Sequence, residues 1–284
     1  MNIIQQPDML SLSMNLKNFI IGSSRQTTFT LKAGDKELVS QVYAPDENGV
    51  MEIDIHEIVH SFLSYSLKDI GEVYQQTNLV ADFTAVIDST EITFRVIRSG
   101  VDRLTDSPTN FLTQNFLTWQ PNVKPVTYYS PEFLTYYAVV AGTVKLRAYF
   151  TDESGTVKSQ TDYTVTELMP GIAYTMPLQY SVVAGWLEHK LPAYYDVWVE
   201  NTSGQRLTYI QRYYAEDMRS EQEQWILFEN SLGGVDTFRA YGNTVFNGEH
   251  THNIAEIDDF FSEYRVDTER KFQKSTGYLN GDER

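Results

Sequence analysis

The sequence predicts an all-β protein, mainly antiparallel. It indicates two β-sandwich or Ig-like units, with one short helix in the first unit and a polar C-terminal extension. Apolar and polar residues alternate with period two in many short runs. Gly, Pro, Asn and Asp separate these runs at intervals of about ten residues, as in sandwiches and barrels. The 19 Tyr and 15 Phe residues favour strands, because broad flat side chains pack well on a pleated surface.

The stretch 192–242 contains the clearest strand–turn–strand pattern. Asn, Ser and Gly form its turns, because Asn and Gly tolerate positive φ and short polar side chains bond their own backbone. We therefore expect two hairpins, laid end to end along the chain. Their strands and turns are predicted at Tyr194–Glu200, Asn201–Gly204, Arg206–Tyr214, Trp225–Glu229, Asn230–Gly234 and Val235–Tyr241.

Composition divides the chain into four segments. These are a first β domain over 1–100, an aromatic-rich connector over 101–124, a second β-sandwich domain over 125–242, and a polar C-terminal extension over 243–284. Apolar and polar residues do not alternate in the connector, and its residue types are typical of turns and loops. Its aromatic content predicts that it packs between the domains or against another subunit.

Two departures from the strand pattern predict helical structure. Ile55, Ile58, Val59 and Phe62 fall at helical spacing and predict the short helix of the first domain. In the extension, 254–261 is expected to form a helical turn or two. Because the extension ends without a closing element, we expect either a truncated chain or a segment whose partner strand comes from a neighbouring chain.

Charge and cysteine content exclude several classes of function. A formal net charge of −16 disfavours nucleic acid, since each phosphate contact needs a cation, and disfavours anionic membrane surfaces equally. The chain has no cysteine, hence no disulfide, thiolate nucleophile or cysteine metal site. No signal peptide and no apolar run of about 20 residues is evident. We expect synthesis in a reducing cytoplasm, without membrane insertion.

The sharpest chemical motif is His56-Glu57-Ile58-Val59-His60, which matches H-E-x-x-H. On a helix, histidines at i and i+4 share one face and can bind Zn²⁺, with the glutamate as general base. The usual third ligand is missing, since the residue four beyond His60 is Ser64. We favour an amphipathic helix with solvated histidines, and expect no cofactor and no catalytic residue. His56 and His60 are kept as weak metal candidates.

Other polar clusters are interpreted as solvated surface. Gly248-Glu249-His250-Thr251-His252 is metal-capable, and His250 or His252 could supply a third zinc ligand only through folding. Its polar setting resembles a loop and favours adventitious binding. The pairs Glu216-Asp217 and Asp258-Asp259 are adjacent in sequence, whereas a glycosidase needs two carboxylates opposed across a cleft.

The aromatic residues suggest two further hypotheses, a saccharide-binding platform and a protein interface. Their side chains combine apolar area with a polar tip, which suits both kinds of ligand. Tyrosines in 128–137, 194–195 and 209–214 could form a sugar-stacking platform, which would make the chain a carbohydrate-binding adhesin module for a surface glycan. The aromatic residues in and after the connector are candidates for a protein interface: Phe111, Phe116, Trp119, Tyr128, Tyr129 and Tyr136.

Three stretches carry a family resemblance: Leu191–Trp198, Gln205–Tyr213 and Leu227–Thr237. The chain resembles uncharacterised proteins encoded in the tail-gene regions of phages and prophages of gut Bacteroidetes. The similarity covers most of the chain after residue 80, and some of these proteins extend beyond the point where this chain ends. It further includes Gly100–Asp102, Trp119–Pro121 and Pro131–Tyr137.

That resemblance implies a structural role in the virion and brings no catalytic residues with it. The H-E-x-x-H match is not part of the shared pattern. The implied partners are other tail proteins and further copies of the chain as a homo-oligomer. The implied location is the virion tail, after synthesis in the bacterial host cytoplasm. A tail or baseplate component is thus the first hypothesis, an adhesin module the alternative, and a zinc hydrolase using His56, Glu57 and His60 the third.

Overall fold

The computed structural model describes residues 1–68, 70–217, 220–257 and 260–277. It confirms an all-β, sandwich-like protein with mostly antiparallel pairing. The strands are β1 Asn2–Gln5, β2 Leu10–Leu12, β3 Phe19–Gly22, β4 Thr27–Ala33, β5 Lys36–Tyr43, β6 Val50–Ile53, β7 Tyr74–Gln75, β8 Val80–Ile87, β9 Thr90–Ile97, β10 Val123–Val126, β11 Phe133–Ala138, β12 Gly142–Thr151, β13 Val157–Leu168, β14 Ile172–Pro177, β15 Tyr194–Asn201, β16 Gln211–Ala215, β17 Gln224–Glu229, β18 Val235–Ala240, β19 Thr244–Ile257 and β20 Phe260–Lys274.

The chain forms two compact units. Unit 1 comprises Met1–Glu216 and Leu227–Thr237, and unit 2 comprises Asp217–Ile226 and Phe238–Arg284. The first predicted β domain, the connector and most of the second predicted β domain lie within unit 1, whereas residues 217–226 and 238–242 of the second predicted domain belong to unit 2. The extension lies in unit 2.

The N-terminal part of unit 1 is a sandwich of two sheets. Its five-stranded sheet has the order β2-β9-β8-β4-β5, and the three-stranded sheet has the order β1-β3-β6. Inward-facing residues of both sheets share one core. In that core Phe19 packs edge-on against Phe29 and Phe94, with ring centroids 5.3 and 6.0 Å apart. Such edge-to-face pairs add to the stabilisation from burial itself.

A second sandwich completes unit 1. Its five-stranded sheet has the order β10-β16-β15-β12-β13, and it packs over a sheet of order β11-β14-β7. Strand β7 precedes residue 100 yet pairs with β14, Thr175 opposite Tyr74. A third apolar cluster includes Leu112 and Leu117 of the connector and Leu232 and Val235 of the second predicted hairpin. The connector is therefore packed into unit 1.

The structure contains helices that the sequence reading missed. The predicted helix is confirmed as α1, His56–Phe62, and two more follow as α2, Pro108–Gln114, and α3, Tyr180–Trp186. The sequence of the α2 segment predicts a loop, because its residues suit turns. The same chemistry starts a helix here, since the Ser107 hydroxyl caps Asn110 N at 3.2 Å with Pro108 in the first turn. No helix in the described ranges is long and apolar enough to cross a membrane.

The C-terminal extension is a long hairpin, so the expected helical turns at 254–261 are wrong. Residues 254–257 continue β19, which pairs antiparallel with β20 from Thr244 opposite Lys274 to Ile257 opposite Phe260. A stretch of eight residues carries little intrinsic helical stability, and cross-strand pairing decides its structure. Residues 258–259, which include the predicted Asp258-Asp259 pair, lie outside the described residues, as do 278–284.

Candidate assembly surfaces

The long hairpin of β19 and β20, called the arm below, belongs to unit 2 and forms a two-stranded sheet. Its strands have 14 and 15 residues. At the usual rise of about 3.4 Å per residue, the ribbon is about 45 Å long. A two-stranded hairpin alone is marginally stable in water, so the arm needs support at its base or along its length.

The base of the arm is fixed within unit 2 by hydrogen bonds. Lys274 Nζ donates to the Gly242 carbonyl at 2.7 Å and to Thr244 Oγ1 at 3.1 Å, and contacts the Gln222 carbonyl as well. Ser275 N donates to the Asn243 carbonyl at 3.0 Å. These bonds fasten the arm at one end, and pairing between β19 and β20 holds the two strands together along its length.

The two faces of the arm differ in polarity. One face carries an apolar row, which we define as Phe246, Ile254, Val266 and Phe272. The Phe246 and Phe272 rings meet edge-on across the strands at 5.1 Å, yet the two residues are 70% and 62% exposed. Ile254 and Val266 are exposed too. Polar residues of the same face, among them Thr268 and Arg270, interrupt this row, and its apolar side chains are solvated in the isolated chain.

The opposite face of the arm is held together by charged and polar pairs. Lys271 Nζ lies 2.8 Å from Glu249 Oε2, and Asn253 Nδ2 donates to Asp267 Oδ2 at 2.9 Å. Exposed ion pairs of this kind contribute little to stability, but they keep that face well hydrated.

His250 and His252 lie on the apolar face of the arm, in a strand and not in the loop-like setting that the sequence suggested. Alternation places them on the same side as Phe246. His250 Nδ1 is 3.1 Å from Thr268 Oγ1, and His252 Nδ1 is 3.0 Å from Glu263 Oε2. Both contacts reach across to β20 and orient the imidazole rings.

Unit 1 carries a second apolar surface, which we call the 119–129 surface. Trp119 and Tyr129 are 60% and 80% exposed, and Val123 and Tyr128 are exposed as well. This segment includes β10, the edge strand of the five-stranded sheet, with Pro125 in its middle. Proline cannot donate to a ladder and is found at such edges. Exposed aromatic side chains therefore precede and follow this edge strand in the chain.

The remaining interface candidates lie inside unit 1. Phe116 and Tyr136 are buried in the core of the second sandwich, with ring centroids 5.8 Å apart. The Tyr136 hydroxyl donates to the Thr113 carbonyl at 3.0 Å, and Phe111 is half-buried. Phe116 and Tyr136 are therefore core residues and not surface available to a partner; of the six candidates, Trp119, Tyr128 and Tyr129 are exposed.

Most tyrosines of the proposed sugar platform use their ring faces within the fold. Tyr195 and Tyr213 are fully buried, and Tyr209 packs edge-on against Phe116 at 5.4 Å. Tyr194 stacks on Tyr149 at 4.4 Å and has the Arg212 guanidinium 4.6 Å from its ring centroid. A saccharide stacks on an open ring face, and 194–195 and 209–213 present none in this arrangement.

The H-E-x-x-H motif lies on α1, where its histidines contact different neighbours. His56 Nδ1 is 2.7 Å from Asp54 Oδ1, and His60 Nδ1 is 2.9 Å from Ser13 Oγ. Burial, with the positive charge of Arg98, lowers the pKa of His60. Within the described ranges, no three His, Cys, Asp or Glu residues come together as a metal-binding group.

A buried ionic cluster in unit 1 was missed by the sequence analysis. Lys124 Nζ donates to Glu132 Oε2 at 2.8 Å and to the Thr237 carbonyl at 2.7 Å. Asp236 accepts from Thr118 Oγ1 at 2.5 Å and from Trp119 N at 3.1 Å. This cluster joins the second predicted hairpin to the connector. No motif marks it, because its members are scattered along the chain.

Burial raises the pKa of both acids in this cluster. For Glu132, burial outweighs the opposing effect of Lys124. For Asp236, burial outweighs the hydrogen bonds from Thr118 and Trp119. Raised carboxyl pKa values of this origin occur at structural sites as well as in active sites. Here the partners are a lysine, a hydroxyl and backbone groups of the same fold, which indicates a structural role.

Comparisons with known proteins show no family to which the chain belongs. No family model matches it, and no curated protein matches it. Among solved structures, it is similar to the trypsin-activated alpha-2-macroglobulin from Escherichia coli at 10% identity and a TM-score of 0.18. That match covers 96% of this chain, which spans only 21% of the macroglobulin chain. At this score the likeness carries no argument about fold or function.

Proposed function

We propose that the chain is a non-enzymatic structural subunit of a phage or prophage tail or baseplate, which acts by self-assembly and by docking to other tail proteins. The observation that carries the assembly role is the arm, with its solvated apolar row on one face and polar pairs on the other. The tail setting rests on the sequence resemblance alone.

The energetics favour covering the apolar row with a partner. Full burial of one large apolar side chain contributes about 1.5–3 kcal/mol. Burial of the four residues in the row would contribute about 6 kcal/mol or more, which is comparable with the lower estimates for the cost of association. A second copy of the chain presents the same row, so two arms can cover each other without a further component.

The 119–129 surface supports docking to a different neighbour. Exposed Trp and Tyr residues are enriched among the side chains that dominate binding energy at protein interfaces. An arm that packs against the arm of a second copy uses the same surface on both subunits, and this leaves the 119–129 surface available for a second, unlike contact. The charge of −16 keeps unassembled subunits soluble.

Light scattering on the purified, untagged chain across a concentration series tests the proposal. We expect a discrete oligomer for the natural chain and a monomer for the double variant Phe246→Ser/Phe272→Ser. The matched control is Asn247→Ser, next to Phe246 on the polar face, which should still assemble. A natural chain that is monomeric at every concentration would contradict self-assembly. Saccharide binding by such a monomer on a glycan array would favour the adhesin module.

A further inference from the structure

We propose that His250 and His252 are half of a divalent transition-metal site that a further copy of the chain completes. The inference rests on the proposed self-assembly through the arm, and it adds a bound ion to that contact. It concerns the G-x-H-x-H stretch of β19, from Gly248 to His252. The ion would sit on the apolar face of the arm, between the Phe246 end of the row and Ile254.

The backbone brings the two imidazoles together on one side of the ribbon. Residues i and i+2 of a strand point to the same face and lie about 7 Å apart along it. Each ring uses Nδ1 for a contact across the hairpin, His250 with Thr268 and His252 with Glu263. Nε2 is therefore the nitrogen that each ring presents to a metal. The carboxylate behind His252 is the support that metal-bound histidines commonly have.

Gly248 leaves space beside one of these nitrogen atoms. It lies two residues before His250, on the same face, opposite Arg270. A Cβ added to Gly248 would lie 3.4 Å from His250 Nε2. Any larger side chain would extend from there over the coordinating nitrogen. The absence of a side chain at this position keeps the approach to Nε2 open.

Ligand chemistry selects the class of ion. Imidazole suits Zn²⁺, Cu²⁺, Fe²⁺ and Ni²⁺, while oxygen ligands suit Mg²⁺ and Ca²⁺. The chain has no cysteine, so imidazole is its main ligand for such ions. Two histidines leave a four-coordinate zinc ion with half of its ligands missing. In the described residues no third His, Asp or Glu joins them as a metal-binding group.

A second copy can supply the missing ligands, since it presents the same two imidazoles on the same face of its arm. Two arms packed antiparallel about Thr251 would place each His250 opposite the His252 of the other copy. That arrangement would bring two His250–His252 pairs together as a four-imidazole set.

Zinc loading of the untagged full chain tests the site. The chain is stripped with EDTA, incubated with ZnCl₂ and freed of excess metal. Zinc is then measured by mass spectrometry, and the mass of the particle by light scattering. We expect one zinc ion for every two chains, in the oligomer. The zinc content of the variant His250→Asn/His252→Asn should be at least tenfold lower than that of the natural chain. Its circular dichroism spectrum should be unchanged.

Three control variants separate this site from others. Thr251→Ala changes the residue between the two histidines, on the polar face, and should retain zinc. His56→Gln/His60→Asn removes the only other closely spaced histidine pair and should retain zinc as well. Gly248→Val leaves all histidines in place but covers His250 Nε2, and it should weaken zinc binding.

Each remaining outcome overturns the metal site. These outcomes are no zinc in the natural chain, one zinc ion per chain, zinc retained by the His250→Asn/His252→Asn variant, and zinc lost in His56→Gln/His60→Asn. A chain that binds no zinc but still forms the discrete oligomer would contradict the proposed metal site and would support the proposed assembly role. A chain that is monomeric with and without zinc would contradict both.

Discussion

Lys124 and Glu132 form an ion pair in the interior of unit 1, with Nζ 2.8 Å from Oε2 and both side chains buried. The same ammonium group donates to the Thr237 carbonyl of β18. A buried pair of this kind adds little net stability relative to apolar residues. Removal of one partner, however, leaves the other charge buried and unpaired, which is strongly destabilising. The pair therefore fixes how the β17–β18 turn region meets the connector.

Removal of Lys124 should lower the free energy of unfolding far more than removal of a surface lysine. We expect Lys124→Met to lower the free energy of unfolding by about 3–5 kcal/mol, because Glu132 would remain buried without its partner. Urea denaturation measures the change. Lys17→Met, which breaks the exposed pair with Asp8, should cost less than about 1 kcal/mol. The double variant Lys124→Met/Glu132→Leu should recover most of the loss; equal losses in the single and double variants would contradict the argument.

The raised pKa of Asp236 predicts a pH-dependent contribution to stability. The folded state binds this proton more tightly than the unfolded state, so the contribution is fully present below the unfolded pKa of about 3.9. It is lost as pH rises through the folded pKa. The free energy of unfolding of the natural chain should therefore fall relative to Asp236→Asn as pH rises from 4. Urea denaturation at several pH values measures the difference.

Asp152 provides a control of opposite sign for that experiment. The hydrogen bond from Lys158, with further ones from Ser154 and Thr156, lowers its pKa to about 2. Its contribution is present above the unfolded pKa and is lost as pH falls through the folded one. The natural chain should thus lose stability relative to Asp152→Asn on acidification. A pH-independent difference between the natural chain and Asp236→Asn would refute the buried-carboxyl interpretation.

Gly233 should tolerate no side chain, and Gly204 provides the matched comparison. Both have positive φ, +91° and +76°, which costs an alanine roughly 1–2 kcal/mol. At Gly233 a Cβ would also collide with the Arg98 carbonyl oxygen, whereas at Gly204 nothing lies within 4 Å. We expect Gly204→Ala to cost about 1 kcal/mol and Gly233→Ala at least about 3 kcal/mol by thermal or urea unfolding. Equal losses would show that the turn can move away from Arg98.

Tyr129 and Tyr136 should respond very differently to truncation. Tyr129 is largely exposed, and Tyr136 is buried against Phe116. We expect Tyr136→Ala to cost about 3–5 kcal/mol, as for large core aromatics, and Tyr129→Ala about 0.5 kcal/mol or less. Denaturant unfolding of the two variants makes the comparison. A destabilising Tyr129→Ala would mean that the 119–129 surface is part of the core.

The sequence by itself determined the strands, because their signal is local. In β12 the inward residues Val144, Leu146 and Ala148 are buried and alternate with residues that are not. Period-two alternation and Gly-containing turns are properties of neighbouring residues, so the strands predicted at Tyr194–Glu200, Trp225–Glu229 and Val235–Tyr241 are found as β15, β17 and β18. The short helix α1 was found for the same reason.

Only the tertiary structure decided which aromatic residues face solvent and where the charges meet. Phe116 and Trp119 are three residues apart in one connector, yet one is core and the other is exposed. Lys124 and Thr237 meet across 113 positions of sequence. Residues 254–257 form part of the arm and not the expected helical turns, because they pair with β20. The local sequence around 254–257 does not show this pairing. Burial and long-range pairing depend on the whole chain, so the candidate surfaces emerged only with the fold.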